Sequence, residues 1–134
     1  MKENFFGFSE MSEIDARNMS PVSLAFVGDG VYTLYIRTMV AKSSTAKAGV
    51  LHKTASSYVK AESQAKAMLA LEGRITDVEE YIFKRGRNAK TTNSAKNASM
   101  IEYKIATGFE ALLGYLYLTG KNDRLCEILH MIGE

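Results

Sequence analysis

The chain has a single cysteine, Cys126, so no disulfide can form within it. That cysteine and the two histidines, His52 and His130, do not fall at zinc-ligand spacing. Both facts fit a reducing, cytoplasmic setting. There is one proline, Pro21, and no long Gly/Ser or acidic tract, which leaves little sequence for linkers. One domain is expected over residues 1–134, with residues 1–10 as its flexible stretch. A chain of that length can bury a core without disulfide or metal staples. The opening "MKENFFGFSEMSE" lacks a long apolar core and soon turns acidic, unlike a signal peptide. No apolar run reaches the roughly 18–20 residues of a membrane span. P-loop, dinucleotide fingerprint and nucleophilic triad are all missing. Net charge is only +2, so the total says little about partners.

What is present is helical periodicity, almost throughout, which predicts an all-α domain. Ser20 and Pro21 read as an N-cap and first helical residue of a helix running to about Ala41. Val50, Leu51, Ala55, Tyr58, Val59, Ala65, Met68 and Leu69 recur at three- and four-residue steps, as one amphipathic helix or two abutting ones would, up to Gly73. A short helix is expected from Thr76 to about Lys84, with Val78, Ile82 and Phe83 inward. The polar stretch "RGRNAKTTNS" then reads as a loop that Ser94 ends by capping. A long helix follows from about Ala95 to Leu118, with Ile101, Ile105, Phe109, Leu112, Leu116 and Tyr117 toward the core, and Gly120 ends it. "NDRLCEILHMI" makes the last helix.

Two of these segments carry an oddity. "SPVSLAFVGDGVYTLYIR" is apolar or small almost throughout, yet Asp29 stands in its middle between Gly28 and Gly30. Glycine inside a helix costs about 1 kcal/mol relative to alanine. "YKIATGFEALLGYLYLTG" repeats the design with Glu110 between Gly108 and Gly114. One reading is structural: the glycines let helices approach closely, Asp29 is satisfied by a buried lysine or a backbone group, and Glu110 is half of an ion pair. Against it, neither helix interior offers a lysine or arginine; Arg37 and Lys104 lie at the flanks. Two ionised carboxylates about 4 Å apart repel by roughly 4 kcal/mol at an effective dielectric near 20. A cation between them, or a proton on one, is therefore required. A hard, oxygen-seeking Mg²⁺ suits a site without His or Cys, with the glycines leaving room for it.

These same residues resemble a known family. "LAFVGDGVY" is similar to the signature helix of the ribonuclease III family, and "TGFEALLGYLYL" to its second catalytic helix. With "LHKTASSYVKAESQA" and "KRGRNAK" between them, the motifs stand in family order from about Ile14 to Leu129. The chain then stops, as in the family's short bacterial form, which has the catalytic domain and no double-stranded-RNA-binding domain. The resemblance implies an all-α, homodimeric endoribonuclease that cleaves double-stranded RNA with Mg²⁺ (Mn²⁺ substituting), giving 5′-phosphate products. For the short form it implies maturation of the 23S ribosomal RNA precursor. It assigns Asp29 and Glu110 as catalytic metal ligands. The family's further acids are absent: Val22, Ala25, Thr107 and a loop position near Ala48 stand in their places. A tightly bound second metal is not expected from such a set, although Thr107 could hold a metal-bound water.

The basic run from Lys84 to Lys96 contains Lys84, Arg85, Arg87, Lys90 and Lys96 and no acid. As a solvated loop it needs no function. In a nuclease without a separate RNA-binding module, Lys84, Arg85, Arg87 and Lys90 would grip the duplex backbone, with Asn88 at a 2′-hydroxyl or base edge. His52 stands on a family motif and fits either an RNA contact or a plain helix surface; His130 reads as structural. The rival function is a catalytically inactive dimeric RNA-binding module of the same fold, acting in ribosome assembly.

Overall fold

The computed structural model describes residues 3–43, 45–90 and 98–133. Seven helices occur among them: α1 (Glu13–Asn18), α2 (Pro21–Ser43), α3 (Ala48–Val59), α4 (Ala61–Ala70), α5 (Asp77–Arg87), α6 (Ala98–Leu118) and α7 (Asn122–Ile132). Among the described residues there is no strand beyond an isolated bridge, Glu3 to Ser9. No described helix is long and apolar enough to cross a membrane. The all-α expectation holds.

The centre of the fold is α6, with α2, α4 and α5 packed around it. Its run Phe109, Ala111, Leu112, Leu113, Tyr115 and Leu116 is buried on every side, which is why it reads as apolar all round rather than as a stripe. Glycines set the spacing. A Cβ on Gly28 would lie 1.7 Å from the Glu110 carbonyl oxygen, and one on Gly114 would lie 2.0 Å from that of Leu24. Thus α2 and α6 touch backbone to backbone. On the other side of α6, a Cβ on Gly108 would meet the Phe83 carbonyl at 2.6 Å, and one on Gly86 would meet Gly108 at 2.8 Å.

The boundaries correct several expectations. The helix that was to end near Lys84 continues to Arg87, because Gly86 is a contact with α6 and not a break; Asn88 caps it, donating its N–H to the Lys84 carbonyl. The second segment takes the second of its two expected forms, two abutting helices, α3 and α4, split where Lys60 turns extended (ψ 157°). Val50, Tyr58 and Leu69 are exposed. The inward stripe of α3 is Leu51, Ala55 and Val59 at four-residue steps, and Val50 and Tyr58 lie one residue, about 100°, off it. Ile101, expected in the core, is 63% exposed, one turn before Ile105 at the end of α6. The proposed cap Ser94, with Ala95 and Lys96, lies outside the described residues. Gly120 does end α6, with φ +71°, a conformation that favours glycine.

Helix α1 was not anticipated. Ser12 caps it, its Oγ accepting from the Asp15 N–H at 3.1 Å, and Ala16 beneath it is fully buried. The N-terminal residues are tied to α6: Asn4 Nδ2 donates to the Tyr117 hydroxyl at 2.8 Å, and the Met11 N–H donates to the Leu118 carbonyl at 2.8 Å.

Candidate active site between α2, α4, α5 and α6

On α2, Ala25 and Phe26 each stand three or four residues from both Val22 and Asp29, so the four share a face. On α6, Tyr103, Thr107 and Glu110 do the same. The α2–α6 contact brings these faces to a groove of about 550 Å³, whose far wall is Gly86, Ala89 and Lys90 at the end of α5. Lys104 also lines it. Asp29 is exposed at this groove and Glu110 is half-buried. The burial expected around Asp29 is therefore not observed. Helix α2 looks buried in sequence because its outer face is apolar too, with Val22 52%, Phe26 80% and Leu34 51% exposed.

The glycines beside Asp29 do different things from those expected of them. Gly28 is filled by the backbone of Glu110, so it leaves no room for an ion; it fixes how closely the two acid-bearing helices approach. Gly30 has open space around it, but it lines a second, apolar hollow with Phe5, Phe6, Val31 and Leu34 rather than the acid groove. The structural reading of the glycines is right for Gly28 and Gly114, while the ion-pair reading of the acids finds no partner among the described residues, where no salt bridge reaches Asp29 or Glu110.

Glu110 instead faces Asp29. Burial first, then the hydrogen bond and the charge of Asp29, push its carboxyl up to about 8, with a hydrogen bond from Gln64 acting in the opposite direction. Gln64, on α4, is 2% exposed and donates from Nε2 to Glu110 Oε2 at 3.2 Å. With no cation, such a pair holds a proton near neutral pH; with one, both carboxylates become available as oxygen ligands. Two carboxylates and an amide contain no soft donor, so the set fits a hard divalent ion. Among the described residues no group of three or more His, Cys, Asp or Glu side chains is placed to hold a metal. The remaining groove positions explain why: Val22 and Ala25 are aliphatic, and the Thr107 hydroxyl donates to the Tyr103 carbonyl at 3.0 Å.

The basic residues divide. Lys90 lines the acid groove. Lys84 is exposed and pairs with Glu80 one turn earlier at 3.0 Å. Arg87 lies over the Phe83 ring, 5.7 Å from its centroid, and donates from Nε to Asn88 Oδ1 at 3.2 Å. Arg85 turns away from the groove: Nη1 donates to the Arg17 carbonyl and Nη2 to that of Met19 at 3.4 Å, closing the C-terminal end of α1. Lys96 lies outside the described residues. His52 is exposed in the cleft between α2 and α3 with Arg37, and His130 sits on the Cys126 carbonyl at 2.8 Å.

Two groove residues, Tyr103 and Lys104, and the buried Gln64 bonded to Glu110 escaped sequence reasoning. Gln64 carried a signal, a polar side chain on the face of α4 that also holds Ala65, Ala67 and Met68. Lys104 and Tyr103 stand at the helix flank and needed the position of α5 to be placed.

Comparison with known proteins identifies the family. Residues 22–121 match the Ribonuclease III domain family. The chain is 40% identical to Mini-ribonuclease 3 of Clostridium tetani over 133 residues, covering 98% of this chain and 87% of that protein. It is 45% identical to Mini-ribonuclease 3 of Enterococcus faecalis, covering 87% of this chain and 89% of that one. A crystal structure of a Fusobacterium nucleatum protein superposes with a TM-score of 0.78 at 28% identity, over 92% of this chain and 96% of that one. The chain belongs to the ribonuclease III family of endoribonucleases.

Proposed function

We propose that this endoribonuclease cuts double-stranded RNA as a Mg²⁺-dependent homodimer, and that its substrate is the 23S ribosomal RNA precursor, as the resemblance to the short family form implies. The observation that carries the metal reading is the pairing of Asp29 and Glu110 across the α2–α6 contact, with no basic partner for either among the described residues. Their all-oxygen chemistry fits Mg²⁺, and Mn²⁺ in its place. When bound, such an ion supplies a Lewis acid for the phosphate and an acidified water.

The chain's own residues do the rest. Asp29 and Glu110 offer carboxylate oxygens from two helices whose separation Gly28 and Gly114 fix, so the ligands are rigidly placed. Lys90 and Lys104, on opposite walls of the groove, attract and orient phosphates flanking the scissile one. Lys84, Arg87 and Asn88 extend that basic edge along α5 and its cap. Arg85 supports it from below through α1. A homodimer is supported by the apolar outer face of α2: Phe26, Val22 and Leu34, with Phe5 and Phe6 nearby, are all more than half exposed, and a patch of this kind marks an association surface. Because Phe26 and Val22 also edge the acid groove, association there sets a second copy beside the site.

The test is cleavage of an end-labelled RNA duplex by wild type and Asp29→Asn, in Mg²⁺ and in EDTA. Cuts that need metal and vanish in the variant, with duplex binding kept, are expected. Duplex binding without cleavage by the wild type, on ribosomal precursor duplex as well, would instead indicate an RNA clamp of the same fold.

A further inference from the structure

Gln64 is not a surface residue that happens to reach the site. It is 2% exposed on the inward face of α4, where its neighbours are Ala65, Ala67 and Met68. Its Nε2 donates to two acceptors, the Val59 carbonyl at 2.7 Å and Glu110 Oε2 at 3.2 Å. A backbone carbonyl can only accept, so the nitrogen must be the atom turned this way. The Val59 carbonyl is one of those left open where α3 breaks at Lys60. Gln64 Oε1, by contrast, is buried with no hydrogen-bond partner among the described residues. A buried amide oxygen without a donor is unfavourable, and methionine would fill the same space without that cost. The amide is explained by what its nitrogen holds.

We propose that Gln64 is a positioning residue for the metal site: it anchors Oε2 of Glu110 to the α3–α4 junction and so leaves Oε1 to face Asp29 and the groove. This rests on the reading of Asp29 and Glu110 as metal ligands. The side chain spans three helices, since it is carried on α4, bonds the end of α3, and restrains an acid on α6. A carboxylate held at one oxygen loses rotamer freedom before the ion arrives, and outer partners of this type typically alter metal affinity or activity by about 10–100-fold.

The experiment titrates Mg²⁺ and Mn²⁺ calorimetrically, without RNA, into wild type, Gln64→Met, Glu110→Gln and the double variant. Gln64→Met is expected to weaken binding by about 10–100-fold and to slow duplex cleavage at limiting Mg²⁺, recovering as Mg²⁺ is raised. Against Glu110→Gln it should change metal affinity no further, because the carboxylate it positions is gone. A merely structural cap on α3 would lower thermal stability equally in both backgrounds and leave metal affinity alone, which overturns the proposal. Wild type that binds no metal would overturn the ligand reading beneath it, a result separable from wild type and Gln64→Met binding alike. As a check that needs no Gln64 variant, the Gln64 side-chain amide resonance of wild type should shift with the metal-binding isotherm and should move in Glu110→Gln. An amide signal blind to both would also overturn it.

Discussion

Glu79 and Glu110 are both withdrawn from water, and their surroundings could hardly differ more. Glu79, at the start of α5, is 5% exposed. Both its oxygens are gripped by Arg124 of α7, Nε to Oε2 at 2.8 Å and Nη2 to Oε1 at 2.8 Å, and Oε1 also accepts the Thr76 N–H at 2.9 Å in a capping box. Arg124 is itself satisfied by Glu127 and the Arg74 carbonyl. Burial would raise the Glu79 carboxyl, but the bonds from Arg124 and Thr76 outweigh it and hold the group below its ordinary value. Glu110 is also desolvated, but it receives one amide donor and faces a second carboxylate, and it is pushed up to about 8. A structural acid is one the protein has completed. Glu110, on the proposed reading, is one it has left for a cation to complete.

The sharpest way to break that contrast is to neutralise each glutamate in turn. Glu110→Gln should abolish most cleavage: a Lewis acid contributes several kcal/mol to the transition state, and that corresponds to roughly 10³-fold in rate. In EDTA its thermal stability near neutral pH should equal or exceed wild type, since a carboxyl that must take up a proton to sit beside Asp29 is removed. Glu79→Gln should do the reverse. Cleavage survives, while stability falls by about 2 kcal/mol, the usual scale for hydrogen bonds to a charged group, because Arg124 loses its bidentate partner. Duplex cleavage and thermal melts on the same samples decide it; a Glu79→Gln protein that is stable but inactive would reverse the assignment.

The contrast was only half legible in sequence. Asp29 and Glu110 were visible because each stands alone among apolar residues, and the all-α class followed from periodicity. The glycines misled in one direction, since an isolated helical glycine reads equally as clearance for a ligand or as contact; only the 1.7 Å approach at Gly28 decides for contact. Gly86 misled in the other, being taken for a loop residue when it is the point at which α5 meets α6. Exposure on α2 was illegible because both of its faces are apolar, one for the core and one outward. The partnership of Glu79 with Arg124, 45 residues later, leaves no local trace at all. Nor does the inward turn of Arg85, since three basic residues in four look alike until α1 is placed against one of them.

Opposite pH dependences follow from the same two glutamates. The Glu110 carboxyl rises from an ordinary 4.5 to about 8 in the folded chain. Between those values the folded state keeps a proton that the unfolded state has lost, so stability falls as pH rises through that window. Glu79 is lowered instead. Below 4.5 the unfolded state takes up a proton first, so the stability from Glu79 is full above that value and is lost as pH falls through its folded value. Melts in EDTA from acid to neutral pH should therefore decline toward neutrality in wild type, and less so in Glu110→Gln or with Mg²⁺ added. A decline that Mg²⁺ leaves untouched would place its origin elsewhere.

The smallest effects separate completed from uncompleted cations. Arg85 and Lys90 come from one basic run, yet Arg85 spends its guanidinium on the Arg17 and Met19 carbonyls, whereas Lys90 faces the acid groove. If Lys90 contacts a phosphate, Lys90→Ala should weaken duplex binding and reduce the slope of log K against log salt by about one counterion per lost contact, with its melting temperature unchanged. Arg85→Ala should lower stability by about 1 kcal/mol through the carbonyls it leaves open, while the salt slope stays at the wild-type value. Binding measured at several salt concentrations reads both. An Arg85→Ala slope that falls as far as that of Lys90→Ala would mean that the guanidinium leaves α1 when RNA binds, and the division between the two residues would hold only for the free protein.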